Sequence, residues 1–154
     1  MKNLQFRTAT LEDLPVLYQF EQGIITAERP FDPTLKPDPI NYYDLKALIL
    51  SDTAQVIVAV IDDEIIASGY AKILQGEPFH KHNDYAYLGF MFVKPAHRGK
   101  GIIQGIVDEL KLWTKANHLS EIRLEVYDDN DAAIRAYEKS NFKKHMIEMR
   151  MLIQ

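Results

Sequence analysis

Between Tyr85 and Tyr127 the sequence runs through an aromatic and β-branched stretch, YAYLGFMFV, a turn holding a proline and two glycines, KPAHRGKG, a long apolar-faced helix pattern and an alternating stretch, IRLEVY. This unit limits the fold more than any other. Strand, helix and strand in that order pack as a right-handed parallel crossover, so the chain must contain parallel neighbours with a helix across one face. The helix is expected from Gly101 to about Asn117, with Ile102, Ile103, Ile106, Val107, Leu110 and Trp113 on one side. Ile122, Leu124 and Val126 then alternate with Arg123, Glu125 and Tyr127 as a strand. The strand Tyr85–Val93 is expected at the centre of the sheet, because it feeds the glycine turn.

The remaining elements fit around that unit. Leu4 to Thr8 alternates as a strand, with Thr10 or the Thr8 region capping a helix whose face carries Leu11, Leu14, Leu17, Tyr18 and Glu21. The stretch ERPFDPTLKPDPINYYD holds four of the seven prolines and predicts an irregular loop, followed by a short helix over Tyr42 to Leu50. Gln55–Ile61 and Ile65–Leu74, separated by DDE, read as a hairpin. Asp131–Ser140 reads as a short helix, and NFKKHMIEMRMLI as a closing strand. The expected class is α/β with a mixed sheet flanked by helices on both faces, in one domain spanning 1–154.

Composition narrows the function. A 154-residue chain, 47% hydrophobic and 26% charged, is an ordinary globular size and make-up. A net charge of −4 argues against general nucleic-acid binding. The absence of cysteine removes disulfides, thiolate zinc sites and any acyl-cysteine mechanism. No bound metal is expected. No run approaches a membrane span, the opening residues carry no apolar signal core, and a cytoplasmic location is the expectation.

Glycine where a helix begins calls for a reason, since alanine forms helix better. The segment HRGKGIIQG fails the P-loop pattern at Lys100-Gly101, and it fails the dinucleotide fingerprint because Gln104 stands where the third glycine belongs. Two readings survive. One is a tight strand-to-helix turn with solvated cations. The other is an anion site, in which free N–H groups wrap a pyrophosphate and Arg98 and Lys100 add positive charge.

Two longer stretches favour the second reading. VKPAHRGKGII, Val93 to Ile103, resembles the acyl-CoA-binding motif of the GNAT N-acetyltransferase superfamily, and LEVYDDNDAAIRAYEKSNF, Leu124 to Phe142, resembles that family's second signature. The separation, their order and the order of elements along nearly the whole chain agree with the GNAT fold. Asn141 stands in place of a glycine before Phe142, and asparagine also tolerates the left-handed cap needed there. Ala96 and Ile103 are milder departures.

The resemblance implies an acetyl-CoA-dependent N-acetyltransferase acting on a primary amine of a small molecule or peptide by direct attack in a ternary complex. Backbone groups of Arg98, Gly99, Lys100, Gly101, Ile102 and Ile103 would hold the pyrophosphate. The backbone of Met91, Phe92 and Val93 would pair with the pantetheine amides like an added strand, and a bulge there would free an N–H for the thioester oxygen. Asn130 would cap the following helix and touch pantetheine. Tyr137 would be the general acid that protonates the leaving thiolate. A non-catalytic acyl-CoA sensor is the alternative, and Tyr137 favours catalysis.

The early-strand glutamate of many relatives has no counterpart here, since that position falls near Tyr87. Glu21, Glu77, His80, His82 and Asp84 are the candidate bases, directly or through water, and an amine that arrives partly neutral needs no dedicated base, so the base is left unassigned. Phe31, Tyr42, Tyr43, Tyr85 and Tyr87 are expected to line the acceptor side. A closing strand apolar on both faces predicts a homodimer that covers it.

Overall fold

The structure is a computed structural model that describes residues 3–154. Its sheet has five strands in the order β1-β2-β3-β4-β5. These are β1 (Leu4–Thr8), β2 (Ala54–Ile61), β3 (Glu64–Gln75), β4 (Asp84–Val93) and β5 (Ile122–Arg123). The first four pair antiparallel, while β4 and β5 run parallel, joined through the helix α3 (Ile102–Ala116). The other helices are α1 (Leu14–Glu28), α2 (Leu45–Leu50) and α4 (Asp131–Lys139).

The period-2 pattern of β2 distributes its side chains to two cores. Ile57 and Ala59 join Ile66, Ala67 and Leu88 beneath Ile102, Ile106, Val107 and Leu110 of α3. Val56 and Val58 join Tyr70 and Phe90 beneath Leu17, Phe20 and Ile24 of α1 and Leu45 of α2. Each fully buried aliphatic side chain contributes about 1.5–3 kcal/mol, so α3 is clamped firmly behind its glycine turn. The β2–β3 hairpin turns on Asp62 and Asp63, both at positive φ (46° and 68°), the geometry of a tight hairpin turn.

Several boundaries differ from expectation for local reasons. The first helix divides into a 3₁₀ turn at Leu11–Asp13 and α1, because Pro15 lacks an N–H and belongs in a first turn. It then runs on to Glu28, just before Arg29-Pro30. The second helix starts at Leu45 rather than Tyr42. The N–H groups of Tyr42 and Tyr43 both donate to Glu21 Oε2 at 2.8 Å, and Asp44 accepts from Ala47 N at 3.0 Å as the cap. The strand Tyr85–Val93 is not central: β4 lies fourth, next to the edge strand β5.

Two expected strands are shortened or missing. Pairing of β5 ends at Arg123 instead of continuing to Tyr127. The segment 143–154 forms no strand and is exposed throughout, with Met149 at 90% and Met151 at 82% exposure. With β5 only two residues long, there is little edge for a closing strand to extend. The side-chain anchor of the segment is Arg150, which donates to Thr34 Oγ1 at 3.2 Å and Asp32 Oδ1 at 3.3 Å.

Candidate active site

The turn from β4 into α3 is a 3₁₀ turn, Pro95–His97, followed by Arg98 to Gly101. Gly99 and Gly101 have φ of 73° and 76°, a region that costs an L-residue roughly 1–2 kcal/mol. A β-carbon on Gly99 would meet nothing within 4 Å, and one on Gly101 only Gln104 Oε1 at 3.7 Å. Packing therefore does not demand these glycines; the backbone conformation does, and it leaves an open hollow before the first turn of α3, whose leading N–H groups have no partner within the helix. Such a hollow suits an anion with several oxygens. Arg98 Nε donates to Val93 O at 3.1 Å, tying the turn to the end of β4, while Lys100 is exposed.

β4 carries a bulge where it approaches this turn. Ser68 pairs with Phe92 and Tyr70 with Gly89, so one residue of β3 faces both Phe90 and Met91. Phe90 has φ of 57°, uncommon for an aromatic residue, and its carbonyl accepts from the buried Ser68 Oγ at 2.9 Å. The extra residue shifts the side-chain phase, so that Tyr87, Phe90 and Phe92 all face the α1 core although Phe90 breaks the alternation. The bulge also bends the strand. β4 pairs with β5 only at Ala86–Ile122 and Tyr87–Arg123, and from Leu88 onward its β5-side edge is unpaired. The edge of Met91, Phe92 and Val93 thus opens on a gap leading into the glycine turn. The expected bulge is present, centred on Phe90.

α4 packs on α3. Asn130 accepts from Ala133 N at 3.2 Å and caps it, and Gln104 Nε2 donates to Ala136 O at 3.2 Å, fixing α4 against α3. Asn141 takes φ of 70° after the helix, as expected for a residue replacing glycine. Tyr137 is half-buried and packs edge-on against Phe142, with ring centroids 6.0 Å apart. Burial, with a smaller contribution from the charge of Glu28, pushes its phenol up to about 12, so it remains protonated at neutral pH.

The opposite wall comes from α1 and the proline-rich loop. A depression of about 470 Å³ lies between α1 (Gln22, Gly23, Thr26) and the end of β4 (Phe92, Pro95, Arg98). A second, of about 480 Å³, is lined by Tyr42, Tyr43, Leu48, Tyr70, Lys72 and Tyr87. Tyr42, Tyr43 and Tyr87 therefore come together as expected. Phe31 instead stacks on Tyr127 at 6.0 Å, and Tyr85 lies under the Arg123 guanidinium at 3.9 Å. Lys72 sits over the rings of Tyr70 and Tyr87 at 5.7 and 5.8 Å.

Of the candidate bases, Glu21 is 1% exposed and is occupied by the Tyr42 and Tyr43 N–H groups, which makes it a loop anchor. His82 contacts Ser120 Oγ at 3.1 Å and Glu121 at 3.7 Å, His80 packs on Phe79, and Asp84 opens β4; these and Glu77 lie at or before the start of the strand, away from the glycine turn. Two carboxylates that the sequence analysis does not single out, Glu28 and Glu125, act on the tyrosines through their charge. Burial raises the Glu28 carboxyl, the neighbouring Tyr42 hydroxyl opposes that rise, and Asp32 adds to it. The Glu125 charge acts on Tyr70 and Tyr87, whose phenols burial and that charge push upward. Glu125 was legible only as an alternating strand residue, and Glu28 only as the flank of a proline-rich stretch.

The family model described as the acetyltransferase (GNAT) family matches residues 20–142. An acetyltransferase of Sodalis glossinidius is 32% identical over 124 residues, 80% of each chain. The chain spans 65% of the length of several other curated relatives it matches, also named acetyltransferases. Among solved structures, the tetramutant of the BH1408 protein of Bacillus halodurans superposes with a TM-score of 0.86 at 21% identity, covering 97% of this chain and 99% of that one. A predicted acetyltransferase of Clostridium acetobutylicum, solved with acetyl-CoA, gives 0.75 at 18% identity, covering 97% and 96%. Among the described residues no helix is long and apolar enough to cross a membrane. The bulged strand, the glycine turn and the match over residues 20–142 agree: the chain belongs to the GNAT acetyltransferase family.

Proposed function

We propose that the protein transfers an acetyl group from acetyl-CoA to a primary amine of a small molecule or peptide, by direct attack in a ternary complex. The observation that carries this reading is the bulged β4, unpaired beyond Tyr87, running into a turn whose two left-handed glycines leave open space. The pyrophosphate sits against the N–H groups from Arg98 to Ile103. Pantetheine follows the edge of Met91, Phe92 and Val93, beside the Asn130 cap. An N–H freed by the bulge donates to the thioester oxygen as it gains charge.

Tyr137 protonates the departing thiolate. Its phenol, raised from about 10 to about 12, is a weaker acid by about 3 kcal/mol. The thiolate leaves into the same desolvated gap, which raises its own proton affinity and offsets much of that cost. Tyr42, Tyr43 and Tyr87 form the acceptor wall. With no cysteine in the sequence, an acyl-cysteine intermediate is excluded, and initial-rate lines should intersect. The exposed apolar segment after Phe142 supports a homodimer in which a second copy covers it; charge substitutions at Met149 and Met151 are then expected to shift sedimentation towards monomer.

The test is a panel of amines and peptides offered with acetyl-CoA while free thiol is followed. Amine-dependent release is expected. Coenzyme binding without release to any acceptor would favour the sensor reading instead.

A further inference from the structure

We propose that Lys72 determines acceptor specificity: its ammonium holds a carboxylate that the acceptor carries several bonds from the amine to be acetylated, as in a short peptide with a free C-terminus. The inference rests on the acetyl-transfer reading and names the substrate class within it.

Lys72 lies on β3, directly opposite Tyr87 of β4 and Ala54 of β2, and two residues from Tyr70. Side chains two apart on a strand share a face, so Lys72 points to the side where Tyr70 packs beneath α1 and α2. A lysine on the covered face of a central strand is unusual, because its ammonium loses water there. Here the side chain is half-buried and lines the depression of about 480 Å³ beside Tyr42, Tyr43, Tyr70 and Tyr87. Its ammonium stands 5.7 Å from the centre of the Tyr70 ring and 5.8 Å from that of Tyr87. Tyr43 meets Tyr42 and Tyr70 edge-on at 5.7 and 5.6 Å, which fixes the rings relative to one another.

The ammonium lacks a counter-ion. Among the described residues no carboxylate, Glu125 included, forms an ion pair with Lys72. Asp44, the carboxylate in the lining, is exposed and accepts from Ala47 N at 3.0 Å as the cap of α2. A wall of tyrosines suits a cation, but Lys72 supplies that cation from within the chain. A second ammonium beside it meets like-charge repulsion. A carboxylate gains a charge-assisted hydrogen bond in a site already partly stripped of water.

Tyr70 connects this site to the free edge of β4. A β-carbon on its partner Gly89 would fall 2.5 Å from Tyr70 Cζ and Oη, so the ring lies across β4 where the bulge begins. Beyond Tyr87 the outer edge of β4 is unpaired. From Tyr87, opposite Lys72, the bulge at Phe90 is about 10 Å away at a strand rise of about 3.4 Å per residue. An acceptor held by its carboxylate at Lys72 therefore presents its amine to the bulge when several bonds separate the two groups, as the backbone of a tripeptide does.

The probes are two pairs of amines offered with acetyl-CoA: triglycine against its C-terminal amide, and 6-aminohexanoate against 1,6-diaminohexane. Wild type should favour the carboxylate member of each pair roughly ten- to a hundredfold in kcat/KM, mainly through KM. Lys72→Met keeps an apolar stem over the rings and removes the charge, so the preference should vanish with coenzyme A affinity unchanged. Lys72→Arg should retain the preference, and Lys72→Glu should turn it towards the diamine. Wild type that favours neither carboxylate, or Lys72→Met that binds coenzyme A and slows all four amines equally, overturns the inference while acetyl transfer stands. Wild type that binds coenzyme A and acetylates none of the amines overturns the functional reading, and this inference with it.

Discussion

On the coenzyme side of the gap nearly every candidate contact comes from one continuous stretch, Met91 to Ile103, shaped by backbone conformation: a bulge at Phe90 and two left-handed glycines. The facing wall draws on the end of α1, the proline-rich loop, the segment after β5 and the tail beyond Phe142. Side chains distant in sequence hold that wall together: Glu21 to Tyr42 and Tyr43, Tyr127 and Arg150 to Asp32. A site built from local backbone tolerates change around it. A site built from long-range hydrogen bonds can be altered one tie at a time, which suits the side that must distinguish acceptors.

The sharpest test of that division is Tyr137→Phe, which touches the chemistry where the two sides meet. Turnover should fall roughly 100- to 10,000-fold, with coenzyme affinity little changed by calorimetry. Equal loss of affinity would mean that Tyr137 belongs to the coenzyme wall alone.

Next come two glycines on either side of the N-terminus of α3. Gly101→Ala places a methyl group in the open hollow and strains the φ of 76°. Loss of a hydrogen bond to a charged group costs about 1.5–3 kcal/mol, so coenzyme A affinity should drop roughly ten- to a hundredfold. A β-carbon on Gly105 would overlap the Phe6 ring. Gly105→Ala should therefore lower stability by about 1–3 kcal/mol in denaturant melts and leave coenzyme affinity intact. If both variants behaved alike, the distinction between a ligand glycine and a packing glycine would fail.

The same contrast explains what could be read from the residues. The motif around Arg98–Gly101 is contiguous, and its glycines declare a backbone need that the φ values bear out. Gly89 inside the strand pattern was compatible with a bulge, yet the alternation of YAYLGFMFV does not say that Phe90 carries it. The anchoring role of Glu21 gave no local signal, because it depends on where Tyr42 and Tyr43 come to rest. The segment 143–154 misled for the opposite reason: its apolar run without turn residues reads as a strand, but a strand needs an edge, and β5 supplies two residues.

The smallest expected effect concerns Asp32→Asn. It weakens the tie to Tyr127 and Arg150, so the acceptor KM should rise a few-fold while coenzyme affinity holds. In wild type the Asp32 carboxyl is held low by the Thr34 hydroxyl and N–H. A depressed folded-state pKa means that its contribution is present above the ordinary carboxylate pKa of about 4 and is lost as pH falls through the lower folded value. The tie therefore persists at neutral pH, and amide exchange in the loop should quicken only in acid.

A crystal structure with coenzyme A bound tests the central claim most directly. The account predicts the pyrophosphate within hydrogen-bonding distance of N–H groups between Arg98 and Ile103, the pantetheine along the unpaired edge of Met91 to Val93, and the sulfur facing Tyr137. Coenzyme A lodged elsewhere, with β4 closed onto the segment after Arg123, would contradict it.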